Sequence, residues 1–159
     1  MATYRMSRNI EASIIQFIED VLVADGWNNI RVEKSFVRVY DGTPPAICIR
    51  VSDTDHDSTG IGENTTTRKP LILVDIFATS DGQRLDLKDF LVSVLKNGMP
   101  YYEYITSGAN VSSKIENGRL RVLTLDDTEV NLGTDKASLA VIDRYRHLLS
   151  LNMATGKVE

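Results

Sequence analysis

Residues 68–79 read Arg68-Lys69-Pro70-Leu71-Ile72-Leu73-Val74-Asp75-Ile76-Phe77-Ala78-Thr79. From Leu71 to Ala78 every side chain but Asp75 is apolar, so both faces of the segment demand cover. That is the pattern of a strand inside a sheet, and the rest of the chain is read outward from it. Downstream, Ser80-Asp81-Gly82 breaks the strand. Leu87, Leu91, Val94 and Leu95, with Phe90 beside them, then predict a helix from about 85 to 97, stopped by Gly98 and Pro100. Upstream, residues 53–69 hold a single aliphatic side chain, Ile61, and predict a long polar loop with no core of its own.

Before that loop, Ile30 and Val32 alternate with charged neighbours, as do Val37 and Val39, with the parity slipping near Lys34-Ser35. This predicts a bulged or bent strand. Asp41-Gly42-Thr43-Pro44-Pro45 is a turn, and Ile47, Ile49 and Val51 form the second strand of an expected hairpin. At the start, Ile10, Ile14, Phe17, Ile18, Val21 and Leu22 lie on one helical face, predicting a helix from Ser7, as N-cap, to Ala24, closed by Asp25-Gly26. After the second helix, short strands are expected at 101–106 and 119–126. Over 136–153 alternation and helical spacing compete, and the β-branched and aromatic content favours a strand. The expected fold is α+β, a mostly antiparallel twisted sheet flanked by two main helices, in a single domain over 1–159.

A chain of 159 residues that is 42% hydrophobic and 25% charged can bury a real core. Its net charge of −4 argues against gripping nucleic-acid phosphates. One cysteine, Cys48, allows neither an internal disulfide nor a multi-cysteine zinc site. No apolar run is long enough for a membrane-spanning helix, and Met1-Ala2-Thr3-Tyr4-Arg5 has no apolar leader, so a cytosolic chain with no membrane partner is expected.

Candidate chemistry is sparse. Asp53, Asp55 and Asp57 begin like a calcium loop, but Ser58 stands where glycine belongs and Asn64 where glutamate belongs. His56 sits among those aspartates, and His147 lies on the last expected strand, where a packed histidine is the commoner outcome. Cys48 alternates with Ile47 and Ile49 and reads as a core thiol. Gly60-Ile61-Gly62 lacks the third glycine of a dinucleotide turn, and no hydrolase, zincin or phosphate-loop motif occurs. Asp75 reads as a buried ion pair or an interface acid. No catalytic residue, metal or cofactor is therefore expected. Tyr101-Tyr102-Glu103-Tyr104 is either an interface patch or a strand with alternate tyrosines packed inward.

The order helix, hairpin, polar loop, buried strand, helix and further strands resembles the tail terminator (tail completion) proteins of long-tailed bacteriophages. The likeness is carried by four stretches: the opening helix ending in Asp25-Gly26-Trp27; residues 39–49; residues 68–79 running into the helix up to Gly98; and Ile142-Asp143-Arg144-Tyr145-Arg146-His147. It spans roughly residues 8–153. The resemblance implies a virion structural role at the head–tail junction, in a hexameric ring. Such a ring caps the tail tube, stops its polymerisation and meets the head-completion or connector protein, while genomic DNA passes through the lumen unbound. The 53–69 and 107–118 segments depart from shorter members of that family.

Ring closure needs two different complementary patches on each subunit. By charge sign, Arg68, Lys69, Arg144 and Arg146 are expected on one and Asp53, Asp55 and Asp57 on the other, with Tyr102 and Tyr104 as aromatic contacts. The rivals are a head-completion or stopper protein, a small metal-dependent enzyme using His56 and the loop from Asp53 to Glu63, and a monomeric adaptor.

Overall fold

The computed structural model describes residues 5–133 and 135–157, so residues 1–4 of the segment read above as lacking a leader lie outside it. Helix α1 (Met6–Ala24) turns Ile10, Ile14, Ile18 and Leu22 inward. It starts one residue before the expected cap: Arg5 holds the N-cap position, and the Ser7 hydroxyl accepts from Arg68 instead. Asp25 and Gly26 close it as expected, their amides donating to the Val21 and Val23 carbonyls.

The segment read as one bulged strand divides into strand β1 (Arg31–Glu33) and a short helix α2 (Phe36–Tyr40). The reason is local. Ser35 is extended and its hydroxyl accepts from the Arg38 amide, an N-cap that turns the chain into a helix and so shifts the apolar parity. Nor is there a hairpin: β1 runs parallel to β2 (Ala46–Ser58), with Val32 opposite Ile47.

Strand β3 (Thr66–Ala78) is central as expected, between β2 and β6 (Tyr145–Ala154). The six strands run in the order β1-β2-β3-β6-β5-β4, with β4 spanning Met99–Ser107 and β5 Asn110–Glu129. Every pairing but the first is antiparallel. Strand β5 serves two neighbours in succession: Asn110–Leu120 pairs with β4, and Arg121–Glu129 with β6.

Helix α3 (Asp81–Leu95) begins earlier than its apolar spacing predicts, because Ser80 caps it. The Ser80 hydroxyl accepts from the Gln83 amide, and the Gln83 side chain accepts back from the Thr79 amide. Its end is fixed by Gly98, at φ 73°, where a side chain would collide with the Leu120 carbonyl of β5. Within 136–153 only β6 is strand. Residues Lys136–Ser138 and Val141–Asp143 form single 3₁₀ turns, and the run before Tyr145 has no strand partner.

The main core lies on one face of the sheet. Ile47, Ile49, Ile72, Val74, Ile76, Leu149, Leu151 and Met153 meet Ile10, Ile14 and Ile18 of α1 and Leu87, Leu91 and Leu95 of α3. Both long helices thus cover the same face. A smaller cluster of Val39, Ala46, Cys48, Phe77 and Ile142, with Phe36, puts α2 and the second 3₁₀ turn on the other face. Among the described residues the result is a mixed α/β fold of six strands and three α-helices.

Candidate assembly surfaces

The expected loop 53–69 is mostly strand. Past one extra residue on β2 between Val51 and Thr54, the ladder runs on as Thr54–Pro70, Asp55–Lys69, His56–Arg68, Asp57–Thr67 and Ser58–Thr66. Only residues 59–65 connect the strands. Backbone hydrogen bonds build such an arm without apolar side chains, which is why composition concealed it. The Lys69 ammonium stands 2.6 Å from the Asp57 carboxylate, and that hydrogen bond raises the lysine pKa. Both partners are about half exposed, so the pair contributes little stability. At the tip, the Thr59 hydroxyl donates to Glu63 and is bonded to the Thr65 hydroxyl, while Ile61 is fully exposed.

A second arm fills the expected 107–118 gap. Strands β4 and β5 pair from Tyr102–Glu116 to Ser107–Asn110, and the register slips opposite Gly118, whose φ of 104° suits a bulge. Tyr101 is buried in the core, whereas Tyr102 and Tyr104 are half-buried. The Lys114 ammonium lies 4.5 Å over the Tyr102 ring. The Tyr104 hydroxyl donates to the Ala12 carbonyl of α1, 3.4 Å away, and burial raises its pKa. Ile105, Val111 and Ile115 stay exposed on this arm. The first turn of α1 joins the two arms: Arg68 donates to Ser7 at 2.8 Å, and Arg5 donates to Thr106 at 2.8 Å.

On the sheet face under α2, Asp75 is 3% exposed. Its carboxylate accepts from Arg50 at 3.0 Å and from Arg146 at 3.4 Å. Arg146 also reaches Asp143 at 3.5 Å and lies over the Phe77 ring, and Arg50 lies over the Phe36 ring. The Tyr40 hydroxyl donates to Asp143 at 2.5 Å. Asp75 is therefore a buried ion-pair acid, one of the two roles its setting in the sequence suggested.

A second polar group sits where α3 meets β5 and β6. Arg84 is 7% and His147 4% exposed. Arginine can only donate, so its 2.8 Å contact makes His147 Nδ1 the acceptor. The imidazole hydrogen then rests on Nε2 and is donated to Asp127, also at 2.8 Å. That hydrogen bond, followed by the nearby Lys88 charge, holds the Asp127 carboxyl below its ordinary pKa. Both ring nitrogens are thus engaged, which leaves neither for activating a nucleophile. Lys136 bridges Asp81 and Glu129 at 3.2 Å each and ties the first 3₁₀ turn to this group.

The residues singled out from sequence now have places. Asp53, Asp55 and Asp57 and the cations Arg68 and Lys69 share one arm rather than forming opposed patches. Within the chain, Arg144 donates to the Leu139 and Ala137 carbonyls and Arg146 to Asp75 and Asp143, so neither is an outward cation. Strand alternation spreads the three aspartates along the arm. Among the described residues no group of three or more His, Cys, Asp or Glu is placed to hold a metal ion. Cys48 is fully buried, and burial pushes its thiol up to about 11. Sequence reasoning missed Arg50, Arg84 and Asp127 as ion-pair partners and Ile105 and Ile115 as exposed apolar residues; the first three come from different elements, Arg50 from β2 to meet Asp75, and Arg84 from α3 and Asp127 from β5 to meet His147. No helix among the described residues is long and apolar enough to cross a membrane. Compared with known protein families the sequence matches none, and a comparison with curated proteins likewise finds no match.

Proposed function

We propose that this chain is a virion structural subunit that closes with its own copies into a ring at the head–tail junction of a long-tailed bacteriophage. There the ring caps the tail tube, ends its polymerisation and presents its other side to the head-completion or connector protein. The genome passes through the lumen without being held, in keeping with the net charge of −4. No molecule is turned over.

The observation that carries this reading is the pair of hairpin arms. Both extend their ladders beyond the packed core, and both expose aliphatic side chains, Ile61 on one and Ile105, Val111 and Ile115 on the other. Long exposed arms with apolar residues contribute little to a lone subunit and are suited to contacts between subunits. The engaged nitrogens of His147 and the buried, high-pKa thiol of Cys48 agree with a role without chemistry.

The test is tube growth. Adding this protein to polymerising tail-tube protein should yield short tubes with a ring at one end. Binding to portal or adaptor protein with tube growth unchanged would instead assign it to head completion. Absence of binding to any of them overturns the proposal.

A further inference from the structure

A cleft of about 360 Å³ opens between α1 and the β4–β5 arm. Half-buried Ala12, Ile15 and Tyr104 line its floor, and exposed Val111, Arg8 and Lys34 stand at its rim. Its volume falls near the lower end for enclosing small groups, about 300–1,000 Å³. The lining is cationic, with Arg5, Arg8 and Lys34 against the single acid Glu11. Burial raises the Glu11 pKa against the lowering pull of Lys34 and Arg8.

The β2–β3 tip has the complementary character. Residues 53–65 carry Asp53, Asp55, Asp57 and Glu63 and no lysine or arginine, while Lys69 of the same arm already pairs with Asp57 at 2.6 Å. Ile61, at its apex, is fully exposed, so the cleft is not filled by the tip of the same chain. We infer that the β2–β3 tip of one copy seats in the α1/β4–β5 cleft of the next, with Ile61 on the apolar floor and the tip acids at the basic rim. This contact rests on the ring reading and specifies how its subunits meet. Tip and cleft are different patches of one chain, so the contact is heterologous and repeats head to tail until it closes.

Two variants test it, Ile61→Cys and Ile15→Cys, made separately, tagged differently and co-expressed. Cys48 stays in both as a buried, unreactive thiol. Under oxidised glutathione the mixture should give a disulfide-linked pair carrying both tags, and neither variant alone should cross-link. The native mass of each preparation is read in parallel. Assemblies of ring mass without the mixed cross-link overturn this contact and leave the ring reading standing. Subunits that stay monomeric at every concentration and with tube protein overturn the ring reading itself. Protection of Ile15→Cys from alkylation by tail-tube protein alone, without cross-linking between copies, gives the cleft to that partner and also overturns the contact. As a second readout, Ile61→Asp at this exposed position should leave the subunit's melting temperature unchanged and weaken self-association at least about tenfold. Unchanged association counts against the contact.

Discussion

Replacing Asp75 with asparagine removes a charge and leaves the shape of the side chain almost intact, so little cavity cost enters. What remains is two guanidinium groups that have lost their shared carboxylate. The Asp75 side chain is 4% exposed and Arg146 is 13% exposed, so that pair is buried; Arg50, at 36%, is only partly so. Breaking a fully buried pair by removing one partner costs about 3–5 kcal/mol. Two features lower that figure here. Arg146 keeps Asp143 at 3.5 Å, and Arg50 can turn toward water. The expected loss is about 2–3 kcal/mol, from the low end of that range. A urea slope of about 1–3 kcal/mol/M then implies a midpoint lower by about 0.7–3 M. Arg50→Met, at the more exposed end, should cost less than about 1 kcal/mol, as screened pairs do. Equilibrium urea unfolding followed by circular dichroism measures both. A midpoint for Asp75→Asn within about 0.3 M of wild type, at unchanged slope, would refute the view that this carboxylate anchors the outer face.

Two further predictions follow from the titrating groups. Cys48 is fully buried and its thiol lies near 11, so native protein at pH 8 should resist iodoacetamide and react fully in urea. Because that folded value is raised, the unfolded chain loses the proton first. Stability should thus fall as pH rises from about 9 towards 11, and Cys48→Ala should flatten the fall. Asp127 is shifted the opposite way, lowered mainly by its hydrogen bond from His147. Its contribution is present above the ordinary aspartate value of 3.8 and is lost as pH drops below it. His147→Gln should shrink that acid loss in thermal melts between pH 5 and 2.5, and an unaltered profile would show that the hydrogen bond does not set the shift.

The parts of this fold written in side-chain periodicity were legible. Ile10, Ile14, Ile18 and Leu22 announced α1, and the run from Leu71 to Ala78 announced the central strand. The arms were not legible, because residues 53–58 and 110–118 enter ladders through their backbones while their side chains remain in water. Helix α2 carried a signal that alternation obscured: Ser35 as cap, with Phe36, Val39 and Tyr40 at helical spacing. Charge sign alone did not reveal that Lys69 and Arg146 have partners within the chain, since the register puts Asp57 and Asp75 on the adjacent strands. The cleft beside α1 escaped notice because its floor joins α1 to a strand about ninety residues away, as the contact of Ser13 with Tyr102 shows.

Self-assembly is central to the proposed role, and native mass spectrometry of the purified protein, paired with electron micrographs of the same sample, tests it most directly. The expected result is one discrete multiple of the 17.7 kDa subunit, seen end-on as a closed ring about 100 Å across or less. A single-subunit mass at all concentrations, unchanged when tail-tube protein is added, would contradict it.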